Sequence, residues 1–396
     1  MVRFVHMADS HLGRRQYGLE ERERDFLDAF NEAVDRIVAA NPEFVAFSGD
    51  LFDSYRPSPT TLVSAFVGLR RIVEAGIRIY AVAGNHDLGP LPGGGRASPL
   101  PLFEEAMAGS FVNLRYSRPL ELVDGLVIVG LPYTPRQEAA TLKSALERVA
   151  KRARERGKEG IIAILHQAVH PLVPPQKSEL SRSILDRLAF SYYAMGHVHD
   201  RNFANEQRQR RALAYAGSTE IVEEREADKL ALYGKGFYVV ELEGDEALIS
   251  PVSLKSVRPF LTYRRTVNTE RELEDLQAKI ESEVLRGNWS KPPVVRVSLA
   301  SRKLGPEAAK NLQRALQDAL SERVLRVFVR YRSLERGERE DVLSKPIINV
   351  EEVFEDLLPD EKVRLLALEI YRLYTEGKGG RDLARELERI YQRWKP

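Results

Sequence analysis

The sequence predicts an α/β protein on three observations. Over residues 1–255, short apolar runs alternate with segments of helical periodicity, the pattern of α/β folds. From about Pro259 the order becomes strand, helix, strand, helix, strand, and beyond Lys345-Pro346 only helical patterns remain. At 396 residues the chain exceeds what one core organises, so two or three domains are expected. The divisions fall at 1–255, a small α/β domain at 256–332, a polar linker at 333–348 and a helical tail at 349–396.

Each element has a local reason. Val2–Met7 reads as a buried strand ending in Ala8-Asp9-Ser10-His11. A helix follows with Phe26, Phe30, Val34, Ile37 and Val38 on one face, closed by Asn41-Pro42. The strand Phe44–Phe47 ends in Ser48-Gly49-Asp50. After Pro57 and Pro59, a helix carries Leu62, Phe66, Leu69 and Val73. The run Ile77–Val82 then leads to Gly84-Asn85-His86-Asp87, where glycine lets the backbone turn and a reacting group come close. A Gly- and Pro-rich loop covers 89–99 and is expected to be mobile.

Leu126–Leu131 and Ile161–Leu165 are further strands, the second ending in His166-Gln167. The charged helix Ala145–Lys158 between them reads as a solvated face. Ser191–Met195 leads into Gly196-His197-Val198-His199, Leu213–Ala216 into Gly217-Ser218, and 236–241 with 247–252 form a hairpin. Farther on, strands are expected at Leu261–Val267, Val294–Leu299 and Val324–Arg332, with helices near 270–286 and 306–321. On the last strand Arg326, Phe328, Arg330 and Arg332 share the face opposite Leu325, Val327, Val329 and Tyr331, and Arg296 matches them on its neighbour. Helices should cover the apolar face, leaving an arginine-bearing one that reads as an ordinary solvated surface or, on the family layout given below, as a DNA contact. In the tail, Val353, Phe354 and Leu357, then Leu365 and Leu368, make apolar stripes that either pack on a core of their own or await a partner.

Composition narrows the chemistry. Hydrophobic residues at 43% and charged residues at 30% suit a globular protein with ample core. Sixty basic and 58 acidic residues nearly cancel, so any nucleic-acid surface is local. The absence of cysteine excludes disulfides and thiolate ligands and leaves nitrogen and oxygen to hold any metal. No basic-then-apolar leader opens the sequence and no apolar run reaches ~18 residues, so a cytoplasmic protein with no membrane span is expected.

Asp9 and His11 are two apart, as are His197 and His199, a spacing that in extended chain points both side chains the same way. Asp50, Asn85 and His166 each follow a strand, and α/β sheets gather their sites at strand carboxyl ends. Two carboxylates, four imidazoles and one amide exceed the needs of one metal and fit two, with Asp50 the natural bridge. Mixed oxygen and nitrogen donors suit manganese, iron or zinc. A metal pair clamps a phosphoryl group and acidifies bound water. His86 is then placed to steady phosphate charge or protonate the leaving oxygen. His6 and His170 are assigned structural roles, and Asp53 stands open between the site and a solvated loop.

These residues resemble the five motifs of the calcineurin-like metallophosphoesterases: Asp9-x-His11, Gly49-Asp50, Gly84-Asn85-His86-Asp87, His166 and Gly196-His197-x-His199. More closely, the chain resembles the archaeal form of the double-strand-break repair nucleases of the Mre/SbcD type. Arg56-Pro57-Ser58-Pro59, Leu165-His166-Gln167, Tyr215-Ala216-Gly217-Ser218, Lys235-Gly236-Phe237-Tyr238 and Arg258-Pro259-Phe260 carry that likeness over residues 1–260, and layout carries it beyond. The resemblance implies a two-sheet sandwich flanked by helices, a small capping domain and C-terminal helices. It implies two Mn2+ per subunit: one on Asp9, His11, Asp50 and His199, the other on Asp50, Asn85, His166 and His197, with His86 catalytic. It further implies single-strand endonuclease and 3′-to-5′ exonuclease activity on DNA ends. A homodimer through helices near 60–74 and 98–107, a heterotetramer with a coiled-coil ABC-type ATPase bound by the tail, and a nucleoid setting complete the expectation. Asp53 departs from the pattern, because several archaeal members carry a second active-site histidine there. Two other classes share these motifs: a small-substrate metallophosphatase or phosphodiesterase, which would need neither accessory domain nor tail, and a DNA-tethering scaffold with a vestigial site, against which the complete donor set stands.

Overall fold

Two facing sheets organise the first part of the chain. The computed structural model describes residues 1–334, except 92, 93, 124 and 157–159, together with 389 and 390. The first sheet has seven strands in the order Gln207–Arg210, Glu246–Ser253, Gly236–Glu243, Val2–Met7, Phe44–Phe47, Arg78–Ala81, Phe111–Asn113. Its last four run parallel. The second has five: Ala212–Tyr215, Tyr192–Gly196, Gly160–His166, Leu126–Leu131, Leu120–Val123. The first four of these are parallel to one another.

Alternation within each strand sends one set of side chains inward. Phe4, Phe44, Tyr80 and Val82 of one sheet meet Ile128, Ile162, Ile164 and Tyr192 of the other in a single buried cluster. The outward set of the second sheet, including Val127, Val129, Ala163 and Leu165, is buried as well. Strands covered on both faces read as continuous apolar runs, which is why they stand out in the sequence.

Helix α1 (Glu20–Ala40) begins with Glu20, Glu21 and Glu23, which favour the positive end of the helix dipole, and stops at Asn41 in a left-handed cap. In α2 (Pro59–Glu74) proline occupies the first position, and Ser58 Oγ accepts the amide of Thr61 at 3.1 Å. A short helix, α3, spans Leu100–Ala106. The charged helix differs from expectation. It runs Ala139–Arg156 (α4), and Leu142, Leu146, Val149 and Ala153 are buried against the second sheet. Its charges occupy only the outer face, and they mask a stripe at helical spacing. Within the 89–99 loop, Gly89–Pro90 and Arg96–Ala97 pair as a two-stranded ribbon. No helix among the described residues is long and apolar enough to cross a membrane.

The described residues divide into two units, and 288–293 belong with 1–260. A buried ion network holds that returning segment. Arg22, fully buried in α1, donates to Gln16, Asp25, Glu220 and the Ile221 carbonyl. Asp25 also accepts from Arg258 and Lys291, and Arg258 reaches the Pro292 carbonyl at 2.6 Å. Buried charges persist only when paired, and removing one partner costs about 3–5 kcal/mol.

In the second unit three strands, Phe260–Thr266, Val294–Ser301 and Arg326–Ser333, form one sheet. The helices Glu270–Arg286 and Pro306–Ala319 pack Leu273, Ile280, Leu312 and Leu316 on Val295, Val297, Leu299 and Val327. Arg296 registers with Phe328, and Arg326, Arg330 and Arg332 share that alternation, on the side away from these helices. The tail residues Val353, Phe354, Leu357, Leu365 and Leu368 lie outside the described residues, as does most of the linker.

Glu32 on α1 ties down the segment before Arg258: its carboxylate accepts the amides of Lys255 and Ser256 at 2.8 and 2.7 Å, and Arg36 donates to it at 2.8 Å. Burial acts to raise this carboxyl, but the donors outweigh it and hold the pKa at about 2. A carboxyl depressed in the folded state stabilises it fully above the unfolded value near 4.5, and that contribution is lost as pH falls toward about 2. Glu32→Gln should therefore lower the melting temperature at pH 7 and shrink the gap between wild type and variant by pH 2–3. A gap independent of pH in thermal melts would contradict this.

Candidate metal centre

The parallel strands of both sheets deliver their carboxyl ends to one place, and backbone turns there aim the side chains. Asp9 and His11 follow Val2–Met7, but not in extended chain: both are left-handed, with φ of 52° and 44°. Asp50 and His197 are also left-handed, at 53° and 84°. Four of the eight non-glycine positive-φ residues among those described are thus candidate site residues, the clustering expected where strain serves function. The turns interlock, as Asp9 N donates to Gly49 O at 3.0 Å and His11 N to Asp50 O at 3.1 Å. A Cβ on Gly84 would stand 2.1 Å from Asp50 Oδ1, so glycine is what allows these two loops to meet.

The side chains converge in three sets whose ligand atoms lie within 4.8 Å of one another: Asp9, His11 and His199; Asp9, Asp50 and His166; His11, Asp53 and His86. Asp50 Oδ2 lies 3.7 Å from His11 Nε2 and 3.2 Å from His166 Nε2, between the first two sets. Its other oxygen accepts the amide of His86 at 2.8 Å. Asn85 Oδ1 is 3.1 Å from His166 Nε2. His197 joins none of the three sets; its ring packs 5.1 Å from that of His166, and its amide donates to Asp9 at 3.1 Å. Asp9, His11, Asp50 and His166 are fully buried, and His86 is 36% exposed.

Hydrogen bonds to the far ring nitrogens fix the imidazoles. His166 Nδ1 donates to the Ser48 carbonyl at 2.7 Å, His199 Nδ1 to Glu226 at 2.7 Å, and His11 Nδ1 to Asp53 at 3.2 Å. With each Nδ1 committed as donor, Nε2 is the atom each ring turns to the site, free to bind metal once any proton on it has left, the arrangement metal-binding histidines require. His11 Nε2 and His199 Nε2 then face each other at 3.2 Å with no donor between them unless a proton or cation supplies one. The residues fit divalent metal on this ground.

The electrostatics agree. Burial pushes Asp9 up to about 6 and His11 and His197 down to about 4 and 3. Burial alone would lower His166, but Asp50 and Asp9 outweigh it and lift it to about 9. Burial would likewise raise Asp50, yet the imidazoles around it, His166 foremost, hold it far below the usual carboxylate range. A proton on His166 thus occupies the position a cation would take.

Several contributors were not identified from the sequence. Asp87 is buried and accepts the amides of Gly84, Phe52 and Leu51, joining the Asp50 and Asn85 turns; burial, aided by Asp50, raises it to about 7. Its place in the Gly84–Asp87 tetrapeptide was the only signal. Glu226 orients His199 and pairs with buried Lys235 at 2.6 Å, but in the run Glu223-Glu224-Arg225-Glu226 it looks like solvated charge. Asp53, left open above, touches His11 and pairs with Arg14 at 2.9 Å. His6 lies in the core beside Tyr192 Oη at 3.0 Å, away from these sets.

Comparison with known proteins places the chain in a family. Residues 2–201 match the calcineurin-like phosphoesterase family. The Mre11 DNA double-strand break repair protein of Methanococcus maripaludis is 32% identical over 291 residues, 72% of this chain and 77% of that protein. The protein of the same name in Methanocaldococcus jannaschii is 34% identical over 251 residues, 63% and 65% of the two chains. That of Saccharolobus solfataricus is 29% identical over 307 residues, 77% and 76%. The chain belongs to the calcineurin-like phosphoesterases and, within them, to the archaeal Mre11 family. It is a phosphodiester-bond hydrolase that binds divalent metal.

Glu226→Gln should weaken binding of added manganese by about 10- to 100-fold, because His199 loses its anchoring charge. Loss of the counter-charge to Lys235 should also lower the melting temperature. Unchanged affinity in a manganese titration of the folded variant would contradict the anchoring role.

Proposed function

We propose that this chain is a manganese-dependent DNA nuclease of double-strand break repair, cutting single strands internally and duplex ends 3′-to-5′. The observation that carries this is the set of imidazoles fixed at Nδ1 around Asp50, with the half-exposed His86 beside it. Asp9, His11, Asp50 and His199 would hold one cation, and Asp50, Asn85, His166 and His197 the second. When bound, such a pair supplies positive charge to the phosphoryl oxygens and acidifies a water for in-line attack.

The chain's own residues do the rest. Asp50, held at one oxygen by the His86 amide, keeps the other between His11 and His166. His86 Nδ1 is committed to the Asp53 carbonyl at 2.9 Å, so Nε2 is the atom that exchanges a proton. In the protonated ring Nε2 donates to the departing sugar oxygen. Burial of Asp9, His11, Asp50 and His166 excludes bulk water from their side of the site and strengthens the charge interactions there.

Partners follow on separate grounds. Val63 and Val67, one turn apart on α2, are 61% and 53% exposed, and Leu102 on α3 is 57% exposed. These support a homodimer through α2 and α3. Arg296, Arg326, Arg330 and Arg332 would contact DNA phosphates, and the tail would bind a coiled-coil ABC-type ATPase, giving a heterotetramer.

The test is incubation of metal-stripped protein with 3′- and 5′-labelled single-stranded and duplex DNA, with and without manganese. Cleavage that needs manganese is expected, and its product ladder reports polarity. Failure to cut any DNA while small phosphodiesters are hydrolysed would favour a small-substrate phosphodiesterase. His86→Ser should retain both cations and lose at least about 100-fold in turnover, the scale of a lost proton donor. Asp50→Ala should weaken both cations together, and one site left at full affinity would exclude the bridge. Removing residues 345–396 should spare manganese-dependent cleavage and abolish co-purification with the ATPase.

A further inference from the structure

A cavity of about 250 Å3 adjoins the metal centre, and Asn85 belongs to both. Among the described residues, Leu88, Gly89, Pro90, Gly95, Arg96 and Tyr133 also line it. Tyr133 follows the strand Leu126–Leu131, and its amide donates to Ala83 O at 2.8 Å, which pins it to the turn carrying Gly84 and Asn85. Its ring lies 5.5 Å from that of His197 and 6.2 Å from that of His166. On the other flank, His86 packs 4.7 Å from His11. Tyr133 is half-buried, and its hydroxyl has no hydrogen-bond partner among the described residues. The hydroxyls of Tyr116, Tyr193, Tyr215, Tyr238 and Tyr263 are all bonded within the protein.

We propose that Tyr133 and this cavity form a nucleobase subsite, in which the base next to the scissile phosphate, on the His166–His197 flank, stacks on the Tyr133 ring. This rests on the nuclease function proposed above. The wall argues for a base rather than a second phosphate. Its one cation among the described residues, Arg96, is already paired with Glu138 at 2.6 Å and donates to the Tyr133 carbonyl at 3.2 Å, leaving a flat guanidinium as surface. Apart from Asn85 at the metal-centre edge, the remaining described lining is glycine, proline, leucine and the aromatic ring. At about 250 Å3 the cavity is smaller than ordinary ligand pockets and suits one planar ring system. A base held there has left its duplex partner, and stacking on an aromatic face accepts any base, so the subsite would select single-stranded or frayed DNA without reading sequence.

A cycle of two changes tests this. Labelled single-stranded DNA carrying one abasic residue is cut by wild type, Tyr133→Ala and Tyr133→Phe, with kcat/KM read at the linkages flanking the missing base. Either the missing base or Tyr133→Ala alone should lower kcat/KM about tenfold at one flanking linkage, the order of one base–aromatic stack. Both together should lower it hardly further, while Tyr133→Phe stays near wild type. As a readout apart from turnover, 2-aminopurine at that position should be quenched on binding to His86→Ser protein and not to the double variant with Tyr133→Ala. Losses that multiply, no loss at all, or equal loss in Tyr133→Phe and Tyr133→Ala would overturn the subsite. Absence of manganese-dependent cleavage of intact DNA by wild type would instead overturn the nuclease function itself.

Discussion

The structure depends on one arrangement: imidazoles whose Nδ1 atoms are tied to fixed acceptors, so that their Nε2 atoms meet in a largely buried pocket. His11, His166 and His199 are each held in this way, by Asp53, the Ser48 carbonyl and Glu226. Lone pairs and carboxylates crowded together out of water repel one another, and within the protein only displaced protons relieve that repulsion. Burial raises Asp9 and lowers His11 and His197, while the raised His166, drawn up by Asp50 and Asp9, expresses this imbalance of negative charge. A cation removes it, which links the fold's stability in this region to metal binding.

The rest of the nuclease-like unit can be understood as support for that pocket. Two sheets buried on both faces give rigid strand ends, and the left-handed residues Asp9, His11, Asp50 and His197 turn the chain immediately beyond or near them. Asp87 fastens two of those turns together, and Lys235 balances the buried Glu226 behind His199. Arg22 and Asp25 perform a comparable task where Arg258 and Lys291 come together, fixing the segments that flank the second unit's sequence.

Much of this was legible in the sequence because strands buried on two faces are unbroken apolar runs, and because His, Asp and Asn immediately after such runs are conspicuous. The alternation of arginine and valine near residues 326–332 was readable for the same reason of strand period. Other features carried no local mark. The left-handed turns at Asp9 and His11 look like ordinary strand continuation, and the expected extended spacing was replaced by interlocked loops. The apolar stripe of α4 was hidden by the charges between its members. Glu226 and Arg22 act on partners 27 and 198 residues away, and pairing over such distances has no sequence period. Tyr133 follows a strand as the ligands do, but an aromatic residue there resembles core.

The central claim is a bridged pair of cations held by this donor set, and electron paramagnetic resonance of the manganese-loaded protein tests it most directly. Metal-stripped protein given two equivalents of manganese should show the exchange-coupled spectrum of two adjacent ions sharing a carboxylate, replaced in Asp50→Ala by weakly bound, magnetically isolated manganese. An isolated six-line spectrum from wild type at two equivalents, or coupling that survives the loss of Asp50, would contradict the account.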